Sequence, residues 1–288
     1  MRDFVITTDS NCDLLPEYLK EKNIGVIPHY YDLNGTTYGG EINLTPKEFY
    51  DKMRNGVMPT TMASNPAVIN DTFLDLVKRG FDILHISFSS ALSGGHSNVH
   101  TGGREICEEH EEAKIFVLDS KNVSMGEGLI VMEAVKLKEE GKSIDEIVEI
   151  IEKFKKNICV QFTVDDLFHL QRGGRVSRMT AIVGSMINVK PILVVDSEGA
   201  LVANGTVRGR KKSLATIVNN MEFQMDNNKD KEITVCVVHG DAIDDAEYVV
   251  ALIKEKFNNA TVIVNTVSPS IGAHSGPGAI GICYYAKK

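Results

Sequence analysis

Four short stretches gather hydroxyls, glycines, histidines and arginines between apolar segments: Pro59-Thr-Thr-Met-Ala-Ser-Asn-Pro66, Ser87-Phe-Ser-Ser-Ala-Leu-Ser-Gly-Gly-His96, Leu167-Phe-His-Leu-Gln-Arg-Gly-Gly-Arg175 and Ile271-Gly-Ala-His-Ser-Gly-Pro-Gly278. Ser87, Ser89, Ser90 and Ser93, with Gly94 and Gly95, make a neutral donor surface. Such a surface can hold a carboxylate or phosphate without setting a full positive charge against it. The competing reading is a serine-rich turn that only caps the next helix. Thr60, Thr61 and Ser64 stand before Asn65-Pro66, the start of another helix, and leave the same choice between ligand donor and cap.

Other chemistries fit less well. His96 and His100 lie one helical turn apart, a spacing that suits a metal, but no carboxylate-rich partner motif accompanies them. Gly276-Pro-Gly-Ala-Ile-Gly281 matches a dinucleotide fingerprint letter for letter, yet the few residues after it read as a strand and leave no helix to complete the unit. There is no P-loop and no Gly-x-Ser-x-Gly elbow. A serine hydrolase acting through Ser93 would need a base, and His96 sits too near it along the chain for a convincing triad. A binding module for some other small anion is a further alternative. Asp9, at the carboxyl end of the first strand, is placed to orient a loop or a hydroxyl, or to cap a turn. The five cysteines are widely spaced, without a Cys-x-x-Cys pair, and three fall in apolar runs where a thiol behaves as a small hydrophobe.

The elements that must position these loops read as strand and helix in alternation. Phe4-Val-Ile-Thr-Thr8, Ile83 to Ser87 and Ile115-Phe-Val-Leu118 are buried strands. Asn34-Gly35, between alternating residues from Tyr30 to Tyr38, signals a hairpin. Thr45-Pro46 with Glu48, and Ser143 with Glu146, are capping boxes that open helices. The segment 59–65 reads as a loop, and Gly102-Gly103 inside a helical stretch implies close packing on a neighbour. After Lys155-Lys-Asn157 the rhythm changes to a hairpin around Asp196-Ser-Glu-Gly199 and helices over a mixed sheet. The expected architecture is therefore α/β. An N-terminal α/β domain with a mainly parallel sheet spans 1–157, and a C-terminal α+β domain with a mixed sheet spans 158–288.

The 288 residues are 43% hydrophobic and 24% charged, ordinary for a folded protein with a real core. A net charge of −8 argues against a general nucleic-acid binder. No apolar run is long enough for an integral membrane segment, and Met-Arg-Asp leads straight into a strand, so a cytoplasmic protein is expected.

Taken together, Thr8-Asp9-Ser10-x-x-Asp13-Leu14, Pro59-Thr60-Thr61 with Asn65-Pro66, Ser89-Ser90-x-Leu92-Ser93-Gly94, Asp119-Ser120, Leu170-x-Arg172-Gly-Gly-Arg175, Gly184-Ser-x-x-Asn188-x-Lys190-Pro191, Val207-Arg208 and His274-Ser-Gly-Pro-Gly278 resemble the ordered blocks of the DegV family. The resemblance covers nearly the whole chain. It implies a fatty acid enclosed in a tunnel between or near the two domains, and a non-catalytic role as the fatty-acid-binding subunit of bacterial fatty acid kinase. A separate ATP-binding subunit would phosphorylate the bound long-chain carboxylate to an acyl phosphate for phospholipid synthesis, and no cofactor or metal is implied. Carried over by position, Thr61 and Ser93 would hold the carboxylate. Arg175, Arg208, His274 and Arg172 would lie near the mouth, on the side of the phosphoryl group or the kinase. Met179, Ile182, Val183, Met186 and Ile187 are expected to line the acyl chain. Two positions depart from the family's pattern: Met62 stands where Ser is usual, and Gly95 where Thr is common, which removes two hydroxyls from the head-group loops.

Overall fold

The computed structural model describes residues 2–165, 167–176, 188–225 and 232–287. The expected lining residues Met179, Ile182, Val183, Met186 and Ile187 lie outside them.

The first half runs β1 (Phe4–Asp9), α1 (Pro16–Glu21), β2 (Gly25–Ile27), β3 (Tyr30–Leu33), β4 (Thr36–Tyr38), α2 (Pro46–Arg54), β5 (Thr60–Met62), α3 (Pro66–Lys78), β6 (Asp82–Ser87), α4 (Gly95–Glu109), β7 (Ile115–Asp119), α5 (Met125–Glu139) and α6 (Ile144–Phe154). The second runs β8 (Ile158–Thr163), α7 (Phe168–Arg172), β9 (Val189–Val195), β10 (Leu201–Arg208), α8 (Arg210–Gln224), β11 (Ile233–His239), α9 (Ile243–Lys256), β12 (Ala260–Thr266), α10 (Pro269–Ser275) and β13 (Ile280–Tyr285).

Strands β2-β1-β6-β7 form a parallel sheet, with Thr8 of β1 opposite Ile86 of β6 and Ser87 opposite Asp119 of β7. All its carboxyl ends therefore point one way, and the Asp9 and Ser87 loops leave from the same edge. Strands β10-β9-β8-β13-β11-β12 form the mixed sheet, antiparallel except for the β11–β12 pair. The two sheets draw on opposite sides of the Lys155–Asn157 turn.

Helix α5 touches β1 and β6 of the parallel sheet and β8, β11 and β13 of the mixed one. It is buried on nearly every side from Met125 to Val131, as a helix between two layers must be. Gly128 lets it approach closely, since a Cβ there would come within 2.7 Å of the Cys12 carbonyl oxygen. One core cluster consequently runs from Ile6, Leu84 and Ile86 through Ile130 and Val131 to Val160, Cys236 and Cys283. Of the three cysteines in apolar runs, Cys236 and Cys283 are fully buried core residues, while Cys159 is half-buried.

Both capping boxes are formed, at Thr45 and at Ser143. In α4, added Cβ atoms at Gly102 and Gly103 would crowd Ile69 of α3 and Ile115 of β7 at 3.1 and 3.0 Å, the close packing those glycines implied. One segment differs from expectation. Thr60–Met62 is a strand rather than a loop, because the β3–β4 hairpin offers an open edge and Thr61 pairs opposite Tyr31. Pro269–Ser275, which holds the first part of the 271–278 stretch, is a helix opened by Pro269 in its first turn and ended by Gly276 at φ +77°.

Candidate functional site

The loop edge of the parallel sheet and residues of β8, β11 and β13 in the mixed sheet border one cavity enclosing about 1000 Å³ of atom-free space, its open mouth included. The first half contributes Asn11, His29, Thr61, Phe88, Leu92 and Ser93, and the second half Val160, Phe162, Arg175, Val238, His274 and Ser275, among others. Most of the wall is apolar, with hydroxyls at Thr61, Ser93, Ser124, Ser270 and Ser275 and imidazoles at His29 and His274.

Thr61 and His274 are brought together. Thr61 Oγ1 lies 2.8 Å from His274 Nε2, joining β5 to α10. Burial, followed by the charges of Arg175 and Arg172, pushes the His274 pKa down to about 4, so the ring is neutral near pH 7. Gly173 packs on the face of His274, where no other residue would fit without displacing the ring.

Ser93 lines the cavity, and its Oγ accepts the Gly95 N–H at 3.1 Å, which leaves its own proton free for a ligand. The other three serines of that loop have structural partners. Ser87 Oγ lies 2.7 Å from His96 Nδ1 and donates to the Leu118 carbonyl at 3.2 Å. Ser89 donates to the Gly199 carbonyl at 2.8 Å, and Ser90 donates to Asp119 at 2.6 Å. Ser89 is thus a latch for the β9–β10 hairpin, whose Gly199 has φ +81° and sits hard against that hydroxyl.

The arginines divide. Arg175 lines the cavity and donates to the carbonyls of Leu92, at 3.1 Å from Nε, and Gly173. Arg172 donates to the Pro59 carbonyl at 2.7 Å and tethers α7 to the strand that carries Thr61. Arg208 is exposed at the end of β10 and does not line the cavity as described. Met62 lines the cavity while remaining 42% exposed, which places it at the mouth. Among the described residues no cluster of three His, Cys, Asp or Glu side chains is placed to hold a metal ion.

Neither His96 nor His274 is placed as a base for serine or threonine catalysis. His96 is bonded to Ser87, not Ser93. His274 has cations beside it rather than an orienting carboxylate, and a pKa near 4 is far from that of an effective base at neutral pH.

Sequence reasoning missed the contributions of Asn11, His29 and Phe88. Asp9 meets all three. Its Oδ1 accepts the Asn11 N–H at 2.9 Å, its Oδ2 accepts the Phe88 N–H at 2.7 Å, and His29 Nε2 lies 3.6 Å from Oδ2. Burial works to raise the Asp9 pKa, but His29 and the Phe88 N–H outweigh it and hold the carboxyl below its ordinary value. Asp9 therefore orients loops, one of the readings its strand-end position allowed.

A family model described as an uncharacterised protein of the DegV family matches residues 3–287. A DegV domain-containing protein of Clostridium perfringens is 36% identical over 286 residues, covering 99% of this chain and 98% of its own. Among solved structures, a fatty-acid-binding DegV family protein from Thermus thermophilus superimposes with a TM-score of 0.88 at 27% identity, over 100% of both chains. DegV of Bacillus subtilis, described as a fatty acid binding protein, gives 0.87 at 27% identity, also over 100% of both chains.

Proposed function

This chain belongs to the DegV family, and we propose that it binds a long-chain fatty acid and presents the carboxylate to a separate ATP-dependent kinase subunit. The observation that supports the reading is one largely apolar cavity lined by the hydroxyls of Thr61 and Ser93 and by His274, with Thr61 bonded to His274.

A carboxylate that must attack a phosphoryl group has to keep lone pairs available. Hydroxyl donors orient it without neutralising it as a close guanidinium would. Thr61 can donate to the ligand only if His274 Nε2 carries the ring proton and donates to Thr61 Oγ1, so the neutral Nε2–H tautomer is the one assigned. Each buried CH₂ contributes roughly 0.8 kcal/mol, so the chain supplies most of the affinity and the hydroxyls supply position.

Residues 1–157 are read as the unit supplying the head-group loops and 158–288 as the unit supplying much of the wall. Arg175 at the cavity, Arg172 behind it and exposed Arg208 are the cations assigned to the phosphoryl side, where charge develops during transfer. The protein then carries no complete active site and needs no cofactor of its own. A cytoplasmic location follows from that role, and no described helix is long and apolar enough to cross a membrane.

The test is a titration with palmitic acid carrying ¹³C at the carboxyl, followed by NMR. One shifted carboxylate resonance saturating at one equivalent is expected, and hydroxylamine-trapped acyl product should form only when a kinase subunit and ATP are added. Acyl product or ester turnover by the chain alone would instead favour a catalytic protein.

A further inference from the structure

His29 is buried, lines the cavity, and is not accounted for by the head-group corner described above. Its backbone N–H is fixed by Ser10 Oγ at 2.9 Å, and its ring is held between Asp9 and Gly95. The Gly95 side is the informative one. A Cβ at position 95 would stand 3.0 Å from His29 Cε1, 3.1 Å from His29 Nε2 and 3.4 Å from Ser93 Oγ. The imidazole edge and the Ser93 hydroxyl thus border a single point on the cavity wall. A side chain at position 95 would press on the ring of His29, which would have to give by a few tenths of an ångström, and glycine spares the ring that shift.

We propose that His29, oriented by Asp9 and packed against Gly95, is a third head-group contact of this pocket, standing beside Ser93 where the absence of a position-95 side chain leaves the ring uncrowded. The inference rests on the fatty-acid reading. It assigns the pocket a selectivity: an anionic head group, able to accept from an imidazole N–H as well as from hydroxyls, is favoured over a neutral head group on the same chain. Asp9 acts only as a positioning residue, because its own oxygens are taken by the Asn11 and Phe88 N–H groups.

The experiment compares palmitic acid with hexadecanol in a fluorescence-displacement assay on wild type, His29→Gln, His29→Ala, Gly95→Thr and the double variant His29→Ala/Gly95→Thr. Thermal melts of each variant are run alongside. His29→Gln retains a donor toward Asp9 and keeps the comparison available if the alanine variant does not fold. Wild type should prefer the acid. Both single His29 variants should cut that acid-over-alcohol preference about tenfold, the scale of one hydrogen bond to a charged group, with little change in hexadecanol binding. Gly95→Thr alone should impair both ligands, and adding His29→Ala should recover acid binding by making room for the threonine hydroxyl. Equal loss of acid and alcohol in the folded His29 variants, or an unchanged preference, would overturn the proposal and leave His29 as wall packing. Wild type that binds neither ligand would overturn the fatty-acid reading itself, and the proposal with it.

Discussion

Thr61 Oγ1 and His274 Nε2 stand 2.8 Å apart although 213 residues separate them in the chain. The bond crosses from β5 to α10, so the hydroxyl offered by one half of the molecule is oriented by the other. Thr61→Val and His274→Ala are each expected to weaken fatty-acid binding about tenfold. The double variant should lose little more than the larger single loss, because one interaction has been removed twice. A double-mutant cycle by displacement titration checks this, and strict additivity would show that the two side chains act separately.

The same histidine sets a pH dependence. Its pKa, lowered from 6.5 to about 4 by burial and then by Arg175 and Arg172, lies below that of the unfolded chain. Its contribution to stability is therefore complete above pH 6.5 and is lost as pH falls toward about 4. Melting curves of wild type and His274→Gln should converge over that window as acid removes the wild-type advantage. Parallel curves would mean that the ring titrates freely.

Asp13 works in the opposite sense. Burial raises its pKa from 3.8 to about 7 against the opposing donors Ser124 and Ser268. A carboxyl raised in this way stabilises the fold at low pH, and the contribution is lost as pH rises between about 4 and about 7. Ionisation strengthens the bonds that Asp13 accepts from Ser124 and from the Ser268 N–H at 3.0 Å, but does not offset the burial of the charge. In urea unfolding, wild type should lose stability from about pH 4 to about pH 7 and Asp13→Asn much less, and parallel pH profiles would contradict this.

The four serines of the β6–α4 loop should separate by effect. Ser93→Ala removes a free donor in the cavity and should lower affinity several-fold with little change in melting temperature. Ser90→Ala, whose bond to Asp119 is on the surface, should change neither. Gly199→Ala, forced to keep φ near +81° and to press on Ser89, should cost about 1–3 kcal/mol in urea unfolding. An equal effect of Ser90→Ala and Ser93→Ala on affinity would contradict the site as drawn.

Much of this was legible in the sequence because it rests on local rules. Capping boxes at Thr45 and Ser143, the Asn34-Gly35 hairpin and the strand-end loops at Asp9 and Ser87 are each specified within a few residues. What stayed hidden depends on distant partners. Thr60–Met62 is too short to announce a strand and becomes one only because β3 offers an edge. Nothing near Ser89 says that Gly199 will take its proton, and nothing near His29 says that Gly95 will make room for its ring. The Gly95 departure from the family's usual Thr was visible as a lost hydroxyl. What stands in the space it leaves emerges only in three dimensions.

The central claim is tested most directly by mass spectrometry of the protein purified in native form, then denatured in organic solvent, with wild type set against a Thr61→Ala/Ser93→Ala double variant. A near-stoichiometric long-chain fatty acid in wild type, depleted in the folded double variant, is the expected result. Wild type that carries no acyl chain, and takes up none when palmitic acid is supplied, would contradict the account.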